Sequence, residues 1–286
     1  MLSENYLPEH VYLDTHQYAI VDRILFNQLP ETFPAIELVT PLTAPQAHLY
    51  PWLIPLREIG GSQWRHLISD IQLASDPEKM PVICLLLKSE LSPDAMKNSL
   101  VSMLIMMDEY KQRHILRFYD PRVLFHLHWM LSAWDFRSKF NTREIPCWTF
   151  WLEGRWHTLA YEKNPLFDAS TATASFNQIQ RIGLINQVLT ELPLISDIIT
   201  RRETSRRIDN LLEQCPLVTE ADKIAFATQG LIYGDGFWKT DKMTALLKES
   251  VNEPGYYARL TSGWNEADWQ EMQNKDNQRT WRSRYL

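Results

Sequence analysis

"HILRFYDPRVLFHLHWML", residues 114 to 131, decides how the first half of this chain is read. Ile115, Leu116, Phe118 and Tyr119 around Arg117 predict an interior strand, on which Arg117 is half buried and must find an acceptor. Asp120-Pro121 then changes the period. An aspartate side chain accepts from the free amides of a first helical turn, and proline suits the first helical position, whose amide has no partner anyway. Val123, Leu124, Leu127 and Leu131 follow at helical spacing, so the stretch predicts strand, capped turn and helix to about Ser132. Ser92-Pro93 repeats the device upstream. The helix it opens carries Met96, Leu100, Met103, Leu104 and Met107 as one apolar stripe, which predicts a core-facing surface through Met107.

Outward from this stretch the pattern alternates. "HVYLD" (10–14), "AIELV" (35–39) and "PWLIPL" (51–56) predict strands, and residues 17–28 and 63–74 predict helices, the first from Ile20, Ile24, Leu25 and Gln28. "PVICLLL" (81–87) lacks polar alternation and predicts a strand buried on both faces. "CWTFWLEGRWHTLAYE" (147–162) predicts a hairpin turning at Glu153-Gly154. Residues 1–165 therefore predict an α/β (α+β) lobe with a mixed sheet flanked by helices. "NPLFDASTATAS" (164–175) reads as a linker. Beyond it, helices are predicted at 175–190, 195–214, 220–233, 241–251 and 265–281, so residues 166–286 form an all-α lobe. Thr219 and Asp222 have the spacing of a capping box.

The bulk numbers narrow the function classes. The 286 residues are 45% hydrophobic and 12% aromatic, with a net charge of −6, and neither lobe carries the basic excess of a nucleic-acid binder. Three scattered cysteines form no CxxC pair and predict reduced thiols. "MLSENYLPEH" lacks the positive start and apolar run of a secretion signal, and no apolar run approaches the ~20 residues of a membrane helix. A cytoplasmic protein with no membrane partner is the expectation.

The chemistry-bearing residues are weighed in turn. His126 and His128 stand two apart on a predicted helix, about 200° apart around its axis, and cannot share a metal ion. Asp120 has no second carboxylate at a useful spacing and reads as a cap. No nucleophile elbow, phosphate-binding loop or protease signature is present. The residues thus predict no enzyme, no cofactor and no metal site. The alternative is a hydrolase or transferase using Asp120 with His114, His126 and His128. Arg117 suits a structural tie or a partner's carboxylate. Arg122 sits in a first helical turn, where a cation opposes the helix dipole and so suggests another contact. "RRETSRR" (201–207) places Arg201, Arg202, Arg206 and Arg207 on a helix, either as a solvated face or as a surface for an acidic partner. Trp238, Trp264, Trp269 and Trp281 lie outside obvious core runs, and aromatic residues anchor interfaces.

Arg117-Phe118-Tyr119-Asp120-Pro121-Arg122-Val123-Leu124, preceded by an apolar strand, resembles the signature of the family catalogued as domain of unknown function 4123. Its members are type VI secretion adaptor chaperones of Gram-negative bacteria. "VYLDTHQYAIVDRILF" (11–26) is similar to the family's opening strand and helix, and "YPWLIPL" (50–56) to its tyrosine-proline segment. The likeness covers roughly residues 10 to 135. "DEYKQRH" (108–114) stands where the family often turns on glycine, and the proline-rich loop before "YPWLIPL" departs from the usual pattern. The resemblance implies a cytoplasmic, non-secreted adaptor. It would hold the amino-terminal segment of an effector protein and load it onto the carboxy-terminal region of a VgrG-type spike protein. It carries over no catalytic residue. Arg117, Phe118, Tyr119, Asp120, Pro121 and Arg122 are then mainly architectural, with partner contact as a second role. Arg201, Arg202, Arg206, Arg207 and Trp238 are further candidates for partner contact. A structural subunit of the secretion apparatus is the remaining alternative.

Overall fold

A sheet whose three central strands are buried on both faces organises the first half of the chain. The computed structural model describes residues 2–5, 15–24, 33–73, 82–162, 173–234 and 236–273. They fall into two compact units, Met1–Ile179 and Gln180–Leu286.

In the first unit, β1 (Leu2–Asn5), β2 (Tyr18–Val21), β3 (Ile36–Glu37), β4 (Trp52–Pro55), β5 (Ile83–Lys88), β8 (Cys147–Leu152) and β9 (Arg155–Ala160) form one sheet in the order β1-β9-β8-β5-β2-β4-β3. The α/β lobe followed by helices is as expected, with one correction: among the described residues every pairing is antiparallel, so the sheet they form is not mixed. The crossover helix α1 (Gly61–Leu73) joins β4 to β5, which run the same way, but β2 lies antiparallel between them. Alternating strands and helices suggest parallel neighbours only when the crossover lands beside its origin, and here it skips a strand. Ile83 to Leu87 are all buried, as the apolar run predicts.

A second correction concerns residues 17–28. Tyr18–Val21 is a strand, not a helix, and its four side chains are all buried. Ile20 and Ile24 have helical spacing, yet Ile24 is 55% exposed. Consecutive apolar residues suit a strand enclosed on both faces equally well, and tertiary burial decided the matter. Residues 25–28 and the strand expected at 10–14 lie outside the described residues. At the hairpin between β8 and β9, Glu153 and Gly154 have φ of 52° and 80°. Two left-handed residues in succession match the twist of the strands that they join.

Helix α2 (Pro93–Met103) opens as expected, with Ser92 Oγ accepting from Ala95 N. It stops four residues short of Met107. Instead, β6 (Ile105–Met107) and β7 (Arg113–Ile115) form a separate two-stranded ribbon. Met107, expected in the core, is 58% exposed. Asp108 builds the ribbon's turn: one carboxylate oxygen accepts from Tyr110 N at 2.9 Å and Gln112 N at 2.8 Å, and the other bonds to His114 Nε2 at 2.9 Å. The bond to His114 comes first among the causes that hold the Asp108 carboxyl below its usual range. Helices α3 (Pro121–Met130) and α4 (Ala133–Lys139) follow, and Lys139 Nζ donates to Ile105 O on the margin of β6.

Helix α5 (Phe176–Gln180) spans the boundary of the two units. The second unit contains α6 (Ile182–Thr190), α7 (Ile198–Gln214), α8 (Glu220–Tyr233), α9 (Asp241–Asn252), α10 (Tyr256–Thr261) and α11 (Glu266–Gln273). Leu217, Phe226, Phe237, Met243, Leu246, Leu247, Tyr257 and Trp269 make its core. The capping box is present: Thr219 Oγ1 accepts from Asp222 N at 3.3 Å and donates to Asp222 Oδ2 at 2.6 Å. The buried Asp222 carboxylate also accepts from Gly255 N at 2.7 Å and Ala258 N at 2.8 Å, so one side chain closes the starts of α8 and α10.

Candidate functional site

The segment from Arg117 to Arg122 alternates between core and surface. Leu116 N still donates to Leu104 O at 2.8 Å, and Asp120 N then bonds to Arg117 O at 3.0 Å. The strand expected over 115–119 is therefore three residues, Arg113–Ile115, followed by an extended step and a turn. Phe118 is fully buried, edge-on to Phe140 at 5.9 Å and Trp148 at 6.2 Å. Burying a side chain of this size contributes roughly 1.5–3 kcal/mol. Tyr119 is also buried. Its hydroxyl accepts from Arg117 Nε at 3.2 Å, and the guanidinium lies over its ring, 5.7 Å from the centroid.

Arg117 is a solvent-exposed residue, not the half-buried strand residue expected, because the chain leaves the ladder before reaching it. Desolvation pulls its pKa down. The Tyr119 oxygen and the Asp120 and Asp22 carboxylates outweigh that effect and leave it above its ordinary value. Asp120 caps α3 as predicted: Oδ1 accepts from Arg122 N at 2.9 Å. The same carboxylate accepts both ends of the Arg122 fork, Nε at 3.0 Å and a terminal nitrogen at 2.7 Å. This bond, first among the causes, holds the Arg122 guanidinium above its ordinary pKa. A cation in a first turn thus cancels its conflict with the helix dipole by pairing with the cap itself. Pro121 is buried beneath it.

The histidines do not converge. His126 is fully buried, with Nδ1 accepting from Trp129 Nε1 at 3.2 Å. His128 packs edge-on to Phe136 at 5.6 Å, and His114 pairs with Asp108 and lies 4.5 Å from Phe176. Among the described residues, no group of three His, Cys, Asp or Glu side chains could hold a metal ion.

Sequence reasoning missed one polar seam. His16 Nε2 bonds to Thr149 Oγ1 at 3.0 Å, and Thr149 to its cross-strand partner Thr158 at 3.0 Å. Threonines alternating with tryptophan and phenylalanine in the hairpin were the available signal. Cys147 Sγ lies 3.9 Å from His16 Nε2, but burial pushes its thiol pKa up, so the sulfur is protonated rather than an activated nucleophile.

In the second unit the arginine run does not share one face. Arg201 is buried, Arg202 half-buried, and Arg206 and Arg207 are exposed. Ile198, Arg201, Ser205, Ile208 and Leu212 line the buried side of α7, a face set by tertiary packing and not by charge. Trp238 is half-buried against Phe226 at 5.1 Å and Phe237 at 5.3 Å. Trp269 is buried, Trp264 packs on it at 4.6 Å, and Trp281 lies outside the described residues.

Residues 17–138 match the family model described as Domain of unknown function (DUF4123). The matched region is similar to that domain. It takes in β2 to β7 and α1 to α3, with the whole RFYDPRVL stretch well inside its limits, and it closes within α4. No curated protein and no solved structure matches the chain. Among the described residues, no helix is long and apolar enough to cross a membrane.

Proposed function

We propose that this chain is a cytoplasmic adaptor chaperone of a type VI secretion system. In this reading it binds the amino-terminal segment of one cognate effector, presents it to the carboxy-terminal region of a VgrG-type spike protein, and is not itself secreted. The DUF4123 match, centred on the RFYDPRVL stretch, carries the reading. The side-chain geometry supports it: Phe118 anchors the segment in the core, and Asp120 spends both oxygens on its own helix and on Arg122. The role has no catalytic step and calls for no cofactor. A net charge of −6 fits protein partners better than nucleic acid.

Co-expression with the products of adjacent effector and spike genes tests the proposal. The expected result is a complex that survives purification, forms with the effector's amino-terminal segment alone, and is lost when that segment is deleted. Recovery of the three proteins as separate species would remove the adaptor reading.

A further inference from the structure

The outer margin of β7, in the ribbon that it forms with β6, is left open by the protein itself. Leu116 N bonds to Leu104 O, and Asp108 N bonds to Gln112 O at 3.1 Å. Those bonds set the phase of the antiparallel ladder. Met106↔His114 is the hydrogen-bonded pair, while Ile105↔Ile115 and Met107↔Arg113 turn their amides and carbonyls outward. On the β6 margin Lys139 Nζ takes the Ile105 carbonyl. On the β7 margin the backbone groups of Arg113 and Ile115 have no partner among the described residues, and both residues are exposed.

The side chains around this margin are of two kinds. Ile115, Met107 and Tyr110 are 37%, 58% and 75% exposed. Lys111, Arg113 and Arg117 are exposed and make no ion pair among the described residues. Two nearby carboxylates are committed elsewhere, Asp108 to the turn and His114 and Asp120 to Arg122, so Glu109 in the turn and the more distant Asp22 face three cations. A basic, apolar strand edge thus stands out in a chain of net charge −6.

We infer that the outer margin of β7 receives an extended, acidic-apolar segment of the partner protein as a third strand of the ribbon; this rests on the adaptor reading for the identity of the partner. Main-chain bonds to Arg113 and Ile115 supply register. Arg113, Ile115 and Met107 share one face of the ribbon, so every second residue of the guest faces them, apolar over Ile115 and Met107 and acidic beside Arg113, Lys111 and Arg117. A second copy of this chain fits worse. Antiparallel pairing of two β7 margins about His114 would set Lys111 of one chain opposite Arg117 of the other, a like-charge pair.

The probe is a blocked decapeptide with threonine at every second position and valine and glutamate in turn at the positions between, titrated into the isotope-labelled full chain, with the counterpart carrying lysine for glutamate as control. The expected result is saturable amide shifts at Arg113 and Ile115 with the glutamate peptide alone. Arg113→Glu combined with Arg117→Glu should weaken binding about tenfold or more. Ile115→Pro should abolish it while sparing the ladder, because that amide points away from β6. Equal response to both peptides, or to neither, overturns the inference, as does unchanged binding in both variants. Protection of the same amides by self-association without peptide assigns the margin to a second copy and also overturns it. In a purified effector complex, fast hydrogen exchange at Arg113 and Ile115 would sink the strand-addition idea and leave the adaptor reading standing. If no such complex forms, the adaptor reading falls, and the peptide titration still decides the margin.

Discussion

The Asp120 carboxylate accepts an amide of its own helix and holds the guanidinium two residues on, so its removal has two costs. Loss of the cap costs about 1 kcal/mol, and an unpaired cation in the first turn adds roughly 0.3–1 kcal/mol. Asp120→Ala should therefore lower unfolding free energy by about 1–2 kcal/mol. Asp120→Asn keeps an oxygen for the amide and should lose less than half as much. Urea denaturation of the two variants checks this, and equal losses would assign the effect to the ion pair alone. The cap was legible in the sequence, because Asp-Pro ahead of an apolar period has one economical reading. The fork to Arg122 was not, since it depends on a side-chain conformation that spacing does not encode. Arg117 misled for a related reason: apolar neighbours suggest an interior strand whether or not the ladder continues, and here it ends at Ile115.

Helices α7 and α8 approach closely where Gly230 faces Leu211. A Cβ at Gly230 would stand 2.5 Å from one Leu211 methyl and 2.8 Å from the other. Alanine gains about 1 kcal/mol of helix propensity, but overpacking a buried leucine costs roughly 1–3 kcal/mol. Gly230→Ala should accordingly destabilise the protein by about 1 kcal/mol. Combined with Leu211→Ala, it should cost clearly less than the sum of the two single changes, as measured in a double-mutant cycle. Helices of this unit were readable from capping residues, with α8 predicted at its observed limits. The ribbon was hidden, because Met107 continues the i, i+4 stripe of α2 and pattern alone cannot tell where such a stripe stops. The short helix α10 was missed for want of period, since six residues are under two turns.

Across the whole chain the three thiols share one condition, which is burial rather than activation. Burial pushes the Cys84 thiol far up, raises Cys147, and pushes Cys215 up to about 11. At pH 8 a thiol of that pKa is ionised to the order of one part in a thousand. Native protein should therefore react with a thiol-specific disulfide reagent at least tenfold more slowly than urea-unfolded protein, for all three cysteines. A fast native phase would show that one of them is exposed. A thiol pKa raised in the folded state favours folding below the ordinary value near 9. That contribution fades as pH rises from there through about 11, so alkaline solutions should lower the melting temperature.

Lys139 on the Ile105 carbonyl also limits stoichiometry. Fibrils grow when each added unit offers a fresh template on its far side, which requires two vacant flanks. With the Ile105 carbonyl taken by an ammonium group, a strand added on the β6 flank would lack one of its register bonds, which favours a single guest on β7 over propagation.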